Sequence, residues 1–192
     1  TLFRSGAMRT NQLSVIPTRV KKTVNVYGTD IDIDENVNIT YYFGPDGKAI
    51  KGFHTIDGQT YYFNEKGWAL DGIIHEKDGD YFLQNYHLIY NQFVNTYSDN
   101  QDDKTITGTY YVNGEGKVQV GWLNKDNNRY YLDPEAGGKV TYGWKEIDNK
   151  FYHFTEKDNQ DSAGQLIRNQ IYQDGDILVT IDQEGIVTRS TE

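Results

Sequence analysis

Residues 41–63 read YYFGPDGKAIKGFHTIDGQTYYF, and this stretch decides the fold. It begins and ends on the same aromatic triplet, Tyr41-Tyr42-Phe43 and Tyr61-Tyr62-Phe63. Between the copies lie two turn signals. Gly44-Pro45-Asp46-Gly47 is one, with a proline of fixed φ and glycines that tolerate positive φ. Asp57-Gly58 is the other, a dipeptide suited to a two-residue hairpin turn. The segments between them are short, rich in aromatic and β-branched residues, and without helical period. The unit is therefore an aromatic strand, a turn, a return segment closed by Gly52-Phe53, and a link to the next strand.

The unit recurs along the chain. Tyr110-Tyr111-Val112 and Tyr130-Tyr131-Leu132 are near-copies, and Tyr81-Phe82 and Phe151-Tyr152-His153-Phe154 are worn ones. Aligned on Tyr42, Tyr62, Tyr81, Tyr111, Tyr131 and Tyr152, the step is about 20 residues, with one longer interval before Tyr111. The expected fold is all-β, a β-solenoid of stacked β-hairpin repeats of about 20 residues, in which each unit buries its apolar face against its neighbours. Val24 to Thr40 predicts one or two strands with a turn near Gly28, whereas residues 1–22 show no clear period. Asn95 to Thr107 and Glu156 to Ala163 read as exposed polar insertions, and Asp182 to Gly185 as a final turn. Residues 1–35 are expected to be a leader and strand segment, and residues 36–192 the repeat domain.

Composition narrows the function. A hydrophobic fraction of 36% is lean for a compact globule of 192 residues, but a solenoid needs only a thin stripe of core. Sixteen Tyr, eight Phe and three Trp exclude a solvating disordered tail. The net charge of −9, with no basic stripe, argues against nucleic acid and anionic membrane as partners. Without cysteine there are no disulfides, thiolate metal sites or cysteine nucleophiles. No apolar run reaches the ~20 residues of a membrane span, and no signal peptide is visible.

These motifs resemble the glucan-binding and cell-wall-binding repeat superfamily. Gly47 to Phe63 is most similar to the glucan-binding repeats of bacterial glucansucrases. Gly121-Trp122-Leu123-Asn124 to Tyr131, and Gly143-Trp144-Lys145 to Tyr152, also resemble choline-binding and clostridial-toxin repeats. The resemblance covers residues 36–188. It implies ligand pockets between consecutive units, floored by aromatic rings. It implies a secreted, cell-surface-associated bacterial protein that binds an α-glucan such as dextran, acts as a monomer and needs no cofactor. The glucan branch is favoured because the positions that hold a second Trp in choline cages carry Thr109 and Arg129. A choline-type wall anchor and a structural or protein-interaction arm are the competing readings.

The expected sugar-binding residues are Tyr42, Lys51, Gln59 and Tyr62 in an early pocket, and Lys117, Gln119, Trp122 and Tyr131 in a later one. Lys48 and Thr55 stand beside the first set, and Tyr111, Asn124 and Lys125 beside the second. An aromatic ring can stack on a sugar face, while amide and ammonium groups suit vicinal hydroxyls. For any single tyrosine, packing between repeats is the better wager. Of each Tyr pair, one ring is expected in the core stripe and the other outward. Asp30, Asp32 and Asp34 begin like a calcium loop, but Glu35 stands where glycine is required, and the alternating Ile31 and Ile33 favour an acidic strand face. His54, His75, His87 and His153 show no metal-ligand spacing, and no nucleophile or phosphate-loop motif occurs. The chain is not expected to be an enzyme itself, although its parent could be a glucansucrase.

Overall fold

The computed structural model describes residues 10–26, 29–97, 106–159, 162–174 and 177–191. They fall into two units, residues 1–89 and 90–192. Among the described residues the regular elements are strands, with one turn of 3-10 helix at Pro134–Ala136. The architecture is all-β and built from hairpins.

The first unit opens on a long ribbon. Gln12–Val26 pairs antiparallel with Thr29–Phe43, Gln12 opposite Phe43. Two short hairpins follow, Gly52–Ile56 with Gln59–Phe63 and Gly72–Glu76 with Gly79–Gln84. In the second unit Gln92–Tyr97 pairs with Ile106–Val112, and Gly121–Lys125 with Asn128–Asp133. The short strand Lys139–Val140 bridges them into one five-stranded sheet. Gly143–Ile147 with Lys150–Phe154, and a three-stranded meander from Gln170 to Thr191, complete it. The expected turn near Gly28 and the centre of the 95–107 insertion lie outside the described residues.

Local chemistry sets the hairpins. Asp57-Gly58, Asp126-Asn127 and Asp148-Asn149 all take positive φ at both turn positions, the geometry that matches the twist of paired strands. At the other turns Asn64 Oδ1 accepts from the backbone N–H of Lys66 and Trp68, and Asn113 Oδ1 does the same for Glu115 and Lys117. Consecutive hairpins are stitched by backbone bonds: Ala69 N–H donates to Thr40 O at 2.8 Å, and Leu166 N–H to Arg129 O at 2.7 Å. Gly67 lies where the stitched turns meet. At φ +75 a Cβ there would stand 2.6 Å from the Ala49 Cβ.

Within each unit the most deeply buried positions are single residues, one per hairpin. Phe63, Leu83, Val112, Leu132, Phe154 and Ile181 are fully buried, one from each short hairpin. All but Ile181 occupy the third position of the aromatic triplet, and Tyr111, Tyr130 and Tyr152 are buried in the same clusters as these residues. The first tyrosine shares its face, because side chains two apart point the same way; Tyr110, Tyr130 and Tyr152 are buried there. The second tyrosine points to the opposite face. Register also shifts the sequence alignment in two units. Phe82 and His153, rather than Tyr81 and Tyr152, stand opposite the closing residues Ile73 and Trp144.

Candidate functional site

A repeated aromatic device packs on the buried clusters. The closing aromatic of one hairpin is wedged between the second aromatic of its own hairpin and the first tyrosine of the next. Phe53 lies 4.8 Å from Tyr62 and 4.7 Å from Tyr81. Phe93 lies 5.1 Å from Tyr111 and 4.9 Å from Tyr130. Trp122 lies 5.1 Å from Tyr131 and 5.0 Å from Tyr152. All six pairs are steeply inclined, with interplanar angles from 54° to 71°. In that arrangement the positive edge of one ring meets the negative face of another.

What lies over the wedge depends on the residue two before the second aromatic, which projects on the same face. At Thr60 the hydroxyl meets Thr55 Oγ1 across the hairpin at 2.9 Å. At Thr109 the hydroxyl donates to Asn95 Oδ1 at 2.8 Å, and a cleft of roughly 310 Å³ opens over the ring. Phe93, Tyr130 and Tyr142 supply the aromatic wall of this cleft. Asn95, Thr109, Lys157, Ser162 and Gln165 supply its polar groups. That size and mixture suit a small polar ligand with apolar faces. At Arg129 the guanidinium covers Trp122, 3.8 Å from the ring centre. At Phe151 there is no cover: Phe151 and Trp144 are 52% and 55% exposed, and Trp144 lies flat on His153 at 4.0 Å and 4°.

The residues expected from sequence are distributed as follows. Tyr62 lines a second cleft, of roughly 450 Å³, with Leu70, Ile73, Glu65, Lys66 and His75. Its hydroxyl donates to Glu76 Oε1 at 2.5 Å. That bond, burial, and the charges of Glu76 and Glu65 push the phenol up to about 12. Lys51 is exposed and paired with Glu65 at 3.0 Å, at the rim of this cleft. Gln59 stands on the opposite face of the hairpin from Tyr62. Tyr42 is half-buried in the first ribbon, opposite Leu13, and its carbonyl accepts from Ile50 N–H. Trp122 and Tyr131 are cross-strand neighbours. Tyr131 is raised by burial and by the nearby Asp133 carboxylate. Lys117 and Gln119 sit on the return segment, where the Gln119 N–H donates to Tyr111 O and the Lys117 ammonium lies 4.0 Å from Glu115. Asn124 and Lys125 line a separate polar cleft at the hairpin tip, with Arg129 and Arg168.

The cleft at Phe93 was not legible as a site. Its polar groups come from Asn95, Thr109 and the distant segment Lys157–Gln165, and no motif joins them. The one available signal was the small residue Thr109 at a position where related repeats hold a large ring.

The acidic triplet behaves as a strand face. Asp34 pairs with Arg19 at 2.5 Å, and Asp32 accepts from Thr23 Oγ1 at 2.7 Å. Among the described residues no group of three or more His, Cys, Asp or Glu converges as metal ligands would.

Comparison with known proteins places the repeat. Residues 51–67 and 120–135 match the family described as the cell wall binding repeat; these segments contain the Phe53–Tyr62 and Trp122–Tyr131 pairs. A curated relative, Glucosyltransferase-S of Streptococcus mutans serotype c, is 31% identical over 48% of this chain. The match spans 9% of that relative's length. Among solved structures, choline binding protein F of Streptococcus pneumoniae has a TM-score of 0.60 at 22% identity, covering 79% of this chain and 44% of that one. CbpJ from Streptococcus pneumoniae TIGR4 has a TM-score of 0.64 at 20% identity, covering 92% of this chain and 57% of that one. At such identities these two bear on the fold alone. Two segments of the chain thus match a cell wall binding repeat, and the chain is similar to part of a glucosyltransferase; the family matched is a binding repeat and not a catalytic domain.

Proposed function

We propose that this chain is a non-catalytic carbohydrate-binding module that takes an α-glucan of dextran type into the grooves between consecutive hairpins. The observation that carries the reading is the cleft at Phe93. An aromatic wall and a ring of amide, hydroxyl and ammonium groups face one another across a space of roughly 310 Å³. A pyranose has an apolar C–H face for the rings and hydroxyls for Asn95, Thr109 and Gln165. The likeness to Glucosyltransferase-S supports a glucan as the polymer. The hairpins stack as a β-solenoid arm of a larger secreted glucansucrase at the cell surface. Residues 36–192 form the binding domain and residues 1–35 lead into it. Within the early pocket Tyr62 and Lys51 contribute, with Tyr42 and Gln59 outside its immediate wall. In the later set, Lys117, Gln119, Trp122 and Tyr131, the Trp122 ring is covered by the Arg129 guanidinium, so this set supports the fold rather than contacting sugar. Each groove is weak by itself, and repetition along one polymer supplies the avidity.

One observation favours a second reading. The flat, exposed Trp144–His153 stack, flanked by Phe151, is an aromatic surface that also suits an organic cation, as a choline-type wall anchor would need. Affinity electrophoresis separates the two. Dextran in the gel should retard the protein, and Gln165→Ala should restore most of its mobility. Unchanged mobility in dextran, with a response to choline chloride alone, would replace the glucan reading by the anchor.

A further inference from the structure

We propose that Arg129 is a built-in ligand: its guanidinium occupies the aromatic groove at Trp122 and closes that groove to outside ligands. This role of Arg129 is independent of whether any groove binds sugar. Trp122, Tyr131 and Tyr152 form the same three-ring wedge that Phe93, Tyr111 and Tyr130 form one hairpin earlier. The grooves differ in the closing ring, Phe93 against Trp122, and in the residue two before the second tyrosine, Thr109 against Arg129. Thr109 leaves the earlier groove open as a cleft, whereas the guanidinium at 129 lies 3.8 Å from the centre of the indole. A planar, delocalised cation stacked on indole is the most favourable cation–π pairing that side chains offer.

The other contacts of Arg129 say that stacking holds it there. Its Nε is buried and has no hydrogen-bond partner. Among the described residues its head pairs with no carboxylate, although Asp126 lines the same tip cleft and instead holds Lys125 at 3.2 Å. Arg168, the other guanidinium of the cleft, donates to Asn127 O. A surface arginine that served solubility would place its Nε in water. This one has given that up for the ring. The groove it fills is therefore a site for a planar organic cation that the chain satisfies internally, and the residue at this position decides which grooves are free.

Chemical rescue tests this on the intact chain. The indole N–H resonance of Trp122, assigned with Trp122→Phe, is followed by NMR while guanidinium chloride is titrated in the millimolar range against matched sodium chloride. In Arg129→Ala the Trp122 signal should move and saturate, at a guanidinium concentration about tenfold below any response of the native protein. The signals of Trp68 and Trp144 should respond no more than in the native protein. Where Arg129→Ala fails to fold, Arg129→Thr, which reproduces the residue of the open groove, gives the same reading. An equal response in native and variant protein, or no response in a folded variant, overturns the proposal. Neither result bears on dextran retardation, so the two readings fail separately.

Discussion

Replacing Trp122 and Trp144 by alanine should give very different losses of stability, although both occupy the closing position of a hairpin. Trp122 meets two tyrosine rings near 5 Å and carries the Arg129 guanidinium on its face. Each inclined ring contact contributes about 0.5–1.5 kcal/mol beyond area burial, and a partly desolvated cation–π pair about 1 kcal/mol. With the transfer cost of its half-buried surface, Trp122→Ala should lose about 3–4 kcal/mol. Trp144 is 55% exposed and stacks only on His153 among the aromatic pairs of the described residues, so Trp144→Ala should lose about 1 kcal/mol. Urea unfolding followed by circular dichroism measures both, with the midpoint shift read at constant slope. Losses within about 0.5 kcal/mol of each other would refute the reasoning, because Trp122 would then have no more structural partners than Trp144.

Other consequences follow from the same geometry. Thr109→Arg should fill the cleft over Phe93 and abolish retardation by dextran while leaving the fold intact by circular dichroism; retained retardation would place the sugar elsewhere. Gly67→Ala should destabilise the first unit by about 2–4 kcal/mol, since it adds a Cβ at 2.6 Å from Ala49 to a left-handed backbone. Gly58→Ala, with nothing within 4 Å, should cost only about 1 kcal/mol. The Tyr62 phenol is raised from 10.0 to about 12, so its neutral form is favoured in the folded chain. Its contribution to stability is complete below pH 10.0 and is lost as pH rises towards 12; Tyr62→Phe should flatten stability across that window in alkaline denaturation. Burial lowers His153, the flat partner of Trp144, against a weaker opposing pull from Glu156. Its neutral form is thus the stabilising one, and stability should fall as pH drops below 6.5 towards the lower folded value. A Trp144 emission titration with a midpoint at or above 6.5 would contradict that assignment.

Much of the fold was written in local chemistry. Asp-Gly and Asp-Asn pairs fixed the two-residue turns, and the Tyr-Tyr-Phe triplets fixed the strands, because both signals act over a few residues. The worn units were harder to read for a specific reason. Where glycine opens four of the hairpins, three others open on Asn-Gln: Asn11-Gln12, Asn91-Gln92 and Asn169-Gln170. Each asparagine takes the left-handed backbone, at φ 50, 52 and 54. Asparagine tolerates this region better than other side chains do, so an apparent loss of glycine was a substitution within the same backbone rule. The strand Gln12–Val26 escaped for another reason. It belongs to a two-stranded ribbon exposed along most of its length, so no buried face imposes an alternating pattern.

The site was less legible than the fold. Tyr62 and Trp122 could be singled out as aromatic, but whether a ring is free depends on what the next hairpin sets against it. Arg129 covers one ring, Thr109 uncovers another, and Gln165 reaches the open cleft from a segment more than one repeat away. Those relations arise from stacking, which the one-dimensional pattern implies without specifying.

The central claim is that the groove over Phe93 holds sugar. The most direct test is a titration of the isotope-labelled chain with a short α-1,6-linked glucose oligomer, read at the side-chain amides of Asn95 and Gln165. The account predicts saturable shifts at both amides, absent from Thr109→Arg. Shifts confined to the Trp144–His153 surface, or no shifts at any concentration at which dextran retards the protein, would contradict it.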